Sequence, residues 1–202
     1  MSEIKDFHDY IYNKLKPSSP KVYIDVYEKN KTLIESSDFS ISNPDFVELT
    51  SITSDYAMAL SEYGNSTKAM PYLAKSINLF EEKYDELKNM SMYEMLKWYR
   101  GVENYNLKKY SLASKDFQFL VDTYPENDKY RNWLLASKTI NLRKYLNYFW
   151  SCEFVCIFWY TLISKENFVL KQILIVVAIV LIVVAIFGEI MVALMKASIK
   201  KK

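Results

Sequence analysis

The stretch Ile173–Ile186 reads ILIVVAIVLIVVAI, an unbroken apolar run with no charge and no hydrogen-bonding side chain. It continues through Phe187 toward Met195, and only Gly188 and Glu189 interrupt it. An α-helix rises about 1.5 Å per residue, so roughly 20 residues cross a hydrocarbon core about 30 Å thick. A small soluble domain could not hide a helix that is apolar on every face. The run predicts a membrane segment, with most of the chain as a polar body attached to it.

Upstream, Tyr145–Ile163 reads YLNYFWSCEFVCIFWYTLI. Tyr145, Tyr148 and Trp150 lie at one end and Trp159 and Tyr160 at the other, as expected for aromatic belts at two interfaces. Ser164-Lys165-Glu166-Asn167 is a short polar link. The two segments, 145–163 and 168–195, therefore predict a transmembrane helical hairpin followed by a basic tail at 196–202. The alternative is a buried or interfacial first helix beside a single span. Arg131, Lys138, Arg143 and Lys144 precede the first segment, and Lys196, Lys200, Lys201 and Lys202 follow the second, against Lys165 and Lys171 near the link. The positive-inside rule then predicts an integral, two-span protein with both termini cytoplasmic. Glu153 and Glu189 are the acids at membrane depth. They lie about 16 Å and about 33 Å from the link, too different in depth to pair. Glu189 is expected to reach the headgroups near Lys196, and Glu153 to be protonated or packed against protein. Cys152 and Cys156 share a helix face and read as small packing residues, since their spacing does not suit a structural disulfide.

The chain has 202 residues, and its net charge of +2 is too balanced for a nucleic-acid surface. Its mean hydropathy of −0.11 averages a charged, Tyr-rich front with an apolar tail. With 3 glycines and 5 prolines, it has few of the turn residues a many-stranded sheet needs. An all-α fold is predicted. No apolar stretch of signal-peptide type opens the sequence. Ser19 with Pro20 marks one helix start, Asn43-Pro44-Asp45 another, and Ser91 with Glu94 has capping-box spacing. Helices are predicted near 3–15, 20–36, 44–63, 67–88, 92–107, 111–123 and 127–143. The first two form an N-terminal region at 1–43, and 44–143 forms a helical repeat domain. Its last helix, 127–143, would cap the stack through Trp133, Leu134 and Ile140.

Residues Glu94–Asn127 resemble a tetratricopeptide repeat, a helix-turn-helix unit of 34 residues. With Glu94 at position one, Gly101 falls on the small-residue position eight and Tyr110 on the aromatic at seventeen. Ala113 falls on the small residue at twenty, Phe117 on the aromatic at twenty-four, and Pro125 on the closing proline. Trp98 and Tyr105 lie one residue past the usual aromatic positions, and Leu120 replaces an alanine. The preceding pair matches less closely, with Ala57 at eight, Ala69 at twenty, Leu73 at twenty-four and Ser76 at twenty-seven. A generic stack of helical hairpins is the alternative. The resemblance implies that the first helix of each pair lines a groove, with Met58, Glu62, Met95, Trp98, Val102, Tyr105 and Asn106 as candidates. Methionines and aromatics there suit a helix or an extended peptide. Equally, Trp98 and Tyr105 could belong to the core. Only Asn106 has the residue type of the family's carboxylate clamp.

Little chemistry is visible. His8, the one histidine, sits beside Asp9 and reads as a solvated residue. One histidine and two cysteines in the apolar tail leave no zinc site. No phosphate loop or nucleophile motif occurs. Glu81, Glu82, Asp85 and Glu86 alternate with Lys83 and Lys88 as on a solvated face. These features predict a non-enzyme without metal or cofactor. Its role would be that of a membrane-anchored adaptor or scaffold binding a protein or peptide partner and the lipid bilayer, but no nucleic acid. In layout it resembles tail-anchored repeat adaptors. The rival is an oligomeric hairpin acting as a pore, transporter or complex subunit with a repeat sensor domain. Ala178, Ala185 and Gly188 could then support contact between copies.

Overall fold

A computed structural model describes residues 2–83, 91–163 and 167–200. Every regular element among them is helical, and no strand occurs. The chain divides into two compact units, Met1–Leu120 and Val121–Lys202.

The first unit begins with α1, Glu3–Asp9, which runs on as a π-helical turn, Tyr10–Leu15. Ser2 caps α1 by accepting from the Lys5 amide at 3.1 Å. Lys16, at φ +45°, ends the turn in the left-handed region. α2 is Pro20–Lys29, and Ser19 caps it through the Val22 amide with Pro20 in its first turn. The helix expected over 20–36 breaks at Asn30, whose φ of −111° and ψ of 13° are not helical, and α3 follows at Lys31–Ser36. The break is local: Asn30 Nδ2 donates to the Val26 carbonyl oxygen at 2.9 Å and competes with the backbone ladder. α4, Phe46–Glu62, starts two residues later than Pro44 suggested. There Asn43 Oδ1 accepts from the Asp45 amide at 3.0 Å, and Asp45 takes the Ser2 hydroxyl instead of capping. α5 is Ser66–Lys83, α6 is Ser91–Asn106 and α7 is Tyr110–Thr123. The part of the 67–88 helix beyond Lys83 lies outside the described residues, as do Asp85, Glu86 and Lys88.

α4 packs on α5, α5 on α6, and α4 also touches α6, the pattern of stacked helix pairs; α1 and α2 pack on α4. The small residues sit where two helices meet. Ala57, Ala69 and Ala113 are fully buried, as are Leu73, Phe117 and Leu120. A Cβ on Gly101 would lie 2.8 Å from Phe117 Cε1, so this glycine lets the α6 backbone come against the ring. Tyr27 and Tyr56 stack at 3.6 Å between ring centroids, and Tyr72 meets both edge-on. α2, α4 and α5 thus share one aromatic core.

Tyrosine hydroxyls tie this unit together. Tyr56 donates to Glu28, Tyr72 to Glu35 at 2.5 Å and Tyr93 to Glu81 at 2.7 Å, each joining two helices. Burial, with the carboxylate neighbour, pushes all three phenols above their ordinary range. Glu81 is exposed, as on a solvated face, and it also takes Lys97 Nζ at 2.6 Å. Asp116, nearly buried, receives Arg100 through two hydrogen bonds of 2.9 and 2.6 Å, joining α6 to α7.

The second unit is dominated by α8, Asp128–Leu162, and α9, Phe168–Lys200. The expected capping helix and the first apolar segment are one continuous helix. No proline or glycine interrupts Asp128–Leu162, and Asn127 caps its start at the Lys129 amide. Pro125 follows the end of α7, and its carbonyl oxygen accepts from Arg131 at 3.0 Å. α8 and α9 pack side by side in antiparallel fashion. Lys171 Nζ sits 5.3 Å from the Tyr160 ring centroid near the link, and Leu146 meets Gly188 at the other end. The link residues 164–166 and Lys201–Lys202 lie outside the described residues.

The packed edge of α9 recurs every three or four residues: Leu174, Ala178, Leu181, Ala185, Gly188, Val192 and Met195 are buried or half-buried. That 3.5-residue period is the seam of a coiled pair. Between these positions Ile, Val and Phe side chains point out, with Val176 60%, Val183 59% and Phe187 65% exposed. Among the described residues, one helix is long and apolar enough to cross a membrane, Phe168–Met195. The apolar part of α8 does not meet that measure, since its tyrosines, tryptophans, Asn147 and Glu153 lower its hydropathy.

Candidate functional site

α4 carries Asp55, Met58, Ala59 and Glu62 at spacings of three, four and seven, so they share one helix face. That face floors a cleft of about 540 Å3 in the first unit. Tyr12 from the π-helical turn, Tyr23 from α2 and the Lys16–Pro20 connection form one wall, and Met95 of α6 joins from the other side. The connection is shaped locally: left-handed Lys16 turns the chain, Pro17 stiffens it, and the Ser19–Pro20 cap starts α2 beside α4.

The polar groups of the floor are held from the walls. Tyr12 Oη donates to Asp55 Oδ2. Tyr23 Oη lies 3.2 Å from Tyr12 Oη and donates to the Ile52 carbonyl oxygen at 3.2 Å. Tyr99 Oη donates to Glu62 Oε1. Burial is the main cause that raises the Tyr12 and Tyr23 phenols above their ordinary range, and it also raises the Asp55 carboxyl. Neither Asp55 nor Glu62 makes an ion pair among the described residues. His8 packs its ring 4.4 Å from that of Tyr12 and lies 3.8 Å from Asp9. Among the described residues no group of three or more His, Cys, Asp or Glu is placed to hold a metal ion.

Of the seven groove candidates, Met58, Glu62 and Met95 converge on this cleft. Trp98 instead meets Phe117, with 5.6 Å between ring centroids, and Tyr105 meets Tyr110 at 5.2 Å. Both rings face α7. Val102 is half-buried and Asn106 exposed, and neither lines the cleft. The α6 aromatic that reaches toward α4 is Tyr99, one position beyond Trp98, or about 100° around the helix. Asp55, Tyr12, Tyr23 and Tyr99 were missed. The face shared by Asp55, Met58 and Glu62 was readable in the sequence; the approach of Tyr12, 43 residues from Asp55, was not.

In the second unit Glu153 lies on the packed edge of α8, with Leu146, Phe149 and Cys156, and faces α9. Its Oε2 is buried without a hydrogen-bond partner. Glu189 is exposed beside buried Gly188. Both cysteines are free, Cys152 exposed and Cys156 half-buried. No protein-family model, characterised protein or solved structure matches the chain.

Proposed function

We propose that this protein is a non-enzymatic, membrane-anchored adaptor. Its tetratricopeptide-like helical stack recruits a protein partner through the α4 cleft, and α8 and α9 hold it in the bilayer as a two-span hairpin. One observation carries the proposal: the α8–α9 pair is built inside out. Large apolar side chains of both helices face outward, such as Phe154, Phe158 and Leu162 on α8 and Ile179, Val183 and Phe187 on α9. The small residues and Glu153 face inward. The outward hydroxyls of Ser151 and Thr161 are satisfied within α8, donating to Asn147 and Phe158 carbonyl oxygens at 2.8 and 2.6 Å. A hydrocarbon solvent requires this arrangement. The basic residues at 131–144 and 196–202 favour cytoplasmic termini. Confinement to a surface then raises the effective concentration of the cleft near other membrane proteins.

The rival, an oligomeric pore or transporter with a sensor domain, draws its support from Glu153. Two features weigh against it. Beyond exposed Gln172, the outward face of α9 carries no polar side chain until Glu189. Ala185 and Gly188 are already buried, and Gly188 lies against Leu146 of the same chain. Carbonate extraction and detergent capture test the proposal together. The full chain is expected to stay with membranes at alkaline pH and to recover a partner that a Met58→Glu, Met95→Glu double variant loses. Release by carbonate, or Glu153-dependent leakage from liposomes, would reject the adaptor.

A further inference from the structure

We infer that the α4 cleft takes the side chain of an arginine or lysine, presented by an apolar-flanked segment of the partner protein. The inference rests on the adaptor proposal and adds the chemistry of what binds.

Asp55 and Glu62 lie two turns apart on α4, about 10 Å along the axis. Each carboxylate is already oriented by a tyrosine hydroxyl, Tyr12 for Asp55 and Tyr99 for Glu62. Each retains acceptor capacity, because a carboxylate offers about four lone-pair directions and a phenol uses one. Neither makes an ion pair among the described residues; the imidazole of His8 lies near enough to act on Asp55, and Lys16, which lines the cleft, is exposed to solvent. The two carboxylates are therefore placed and hydrogen-bonded without a salt-bridge partner of their own.

Charge complementarity selects the occupant. A guanidinium brings five donors in a fixed fork, and an ammonium brings three. Either would meet Asp55 where burial already raises its carboxyl, a cost that a paired cation relieves. An anionic segment would meet two carboxylates instead. The wider field does not oppose a basic ligand, since the first 120 residues hold 18 Asp and Glu against 15 Lys and Arg. Met58 and Met95 supply soft apolar walls for residues flanking the cation.

The test uses the full chain in phospholipid nanodiscs with methyl-labelled methionine. Three peptides are titrated: acetyl-Gly-Leu-Arg-Leu-Gly-amide and its twins with citrulline or glutamate in place of arginine. Citrulline keeps the shape and loses the charge. The arginine peptide is expected to move the Met58 and Met95 signals saturably. The citrulline twin should bind at least about tenfold more weakly, and the glutamate twin should leave both signals in place. Asp55→Asn and the exposed-site variant Glu62→Gln should each reduce the preference for arginine over citrulline. Equal binding of arginine and citrulline peptides overturns the inference while leaving a peptide-binding adaptor standing. Unmoved signals at the solubility limit of the arginine peptide overturn it as well. If detergent capture also recovers no partner, the adaptor proposal falls with it.

Discussion

Tyrosine is used in opposite ways in the helix contacts of the first unit and along the apolar part of α8 in the second. In the first, Tyr12, Tyr56, Tyr72, Tyr93 and Tyr99 insert between helices and hand their hydroxyls to carboxylates on neighbouring elements. In the second, Tyr145 and Tyr148 are 62% and 57% exposed, among outward tryptophans and phenylalanines. The contrast extends to the large apolar residues. The first unit turns most of its large apolar side chains inward and joins tyrosine hydroxyls to carboxylates, although the Thr50, Ser54 and Ser76 hydroxyls are buried without a hydrogen-bond partner. The α8–α9 pair turns its large apolar side chains outward and keeps small residues within. The proposed membrane placement would explain the difference: water favours the first arrangement, and hydrocarbon favours the second.

The largest expected effect lies in the polar network of the first unit. Asp116→Ala leaves Arg100, and Lys97 at 3.8 Å, without their buried carboxylate. Breaking such a pair costs about 3–5 kcal/mol. Hydrogen exchange across α6 should report faster opening there, with the α8–α9 amides unchanged. Equal loosening of both units would break the distinction between them.

Glu153 is the inward polar group of the second unit with nothing to satisfy its Oε2. Glu153→Leu should strengthen the pairing of α8 and α9 by about 1–2 kcal/mol, because an unmet buried acceptor is removed. Fluorescence transfer across the hairpin during detergent titration would measure it. A weaker hairpin would mean that the carboxyl is engaged, and would favour the transport alternative.

The glycines give a finer comparison. Gly101→Ala places a Cβ 2.8 Å from the edge of the enclosed Phe117 ring. Overpacking costs about 1–3 kcal/mol, and the helix gains back about 1. A net loss of about 1 kcal/mol is expected in α6 exchange. Gly188→Ala meets Leu146 at Cδ2 and, at 3.2 Å, at Cγ; this is one flexible side chain rather than a ring, so it should cost less if Leu146 can turn aside.

The smallest effects concern pH. Glu28 is held below the usual carboxylate range by the hydrogen bond from Lys68 at 2.5 Å and then by Tyr56. Its contribution is complete above the unfolded value near pH 4.3 and fades as pH falls below it. Glu28→Gln should therefore remove about 0.5 kcal/mol at neutral pH and nothing in acid. Asp55 has the opposite sign. Its raised carboxyl binds more protons folded than unfolded, so stability falls as pH rises from about 4 through the folded value. Asp55→Asn should flatten that fall. Urea titrations from pH 3 to 8, followed by α4 exchange, would separate the two; slopes of the same sign would contradict the assigned environments.

Local sequence terms suffice for the helices, their order and the apolar stem. Periodicity, the Ser19–Pro20 cap and the density of Ile and Val depend only on near neighbours in the chain. The all-α class and the helix sites follow from those local terms. Asn30, a competitor with the helix ladder, and the late start at Phe46 are the local details that escaped. Tertiary structure decided which faces meet. It turned Trp98 and Tyr105 toward α7 and brought Tyr12 and Tyr23 over Asp55. It also set Glu153 against α9. Each of these depends on the rotation of a helix about its axis, where one residue is about 100°, and on contacts tens of residues apart. That rotation is fixed by packing, so a groove could be expected from the repeat pattern, but its walls could not.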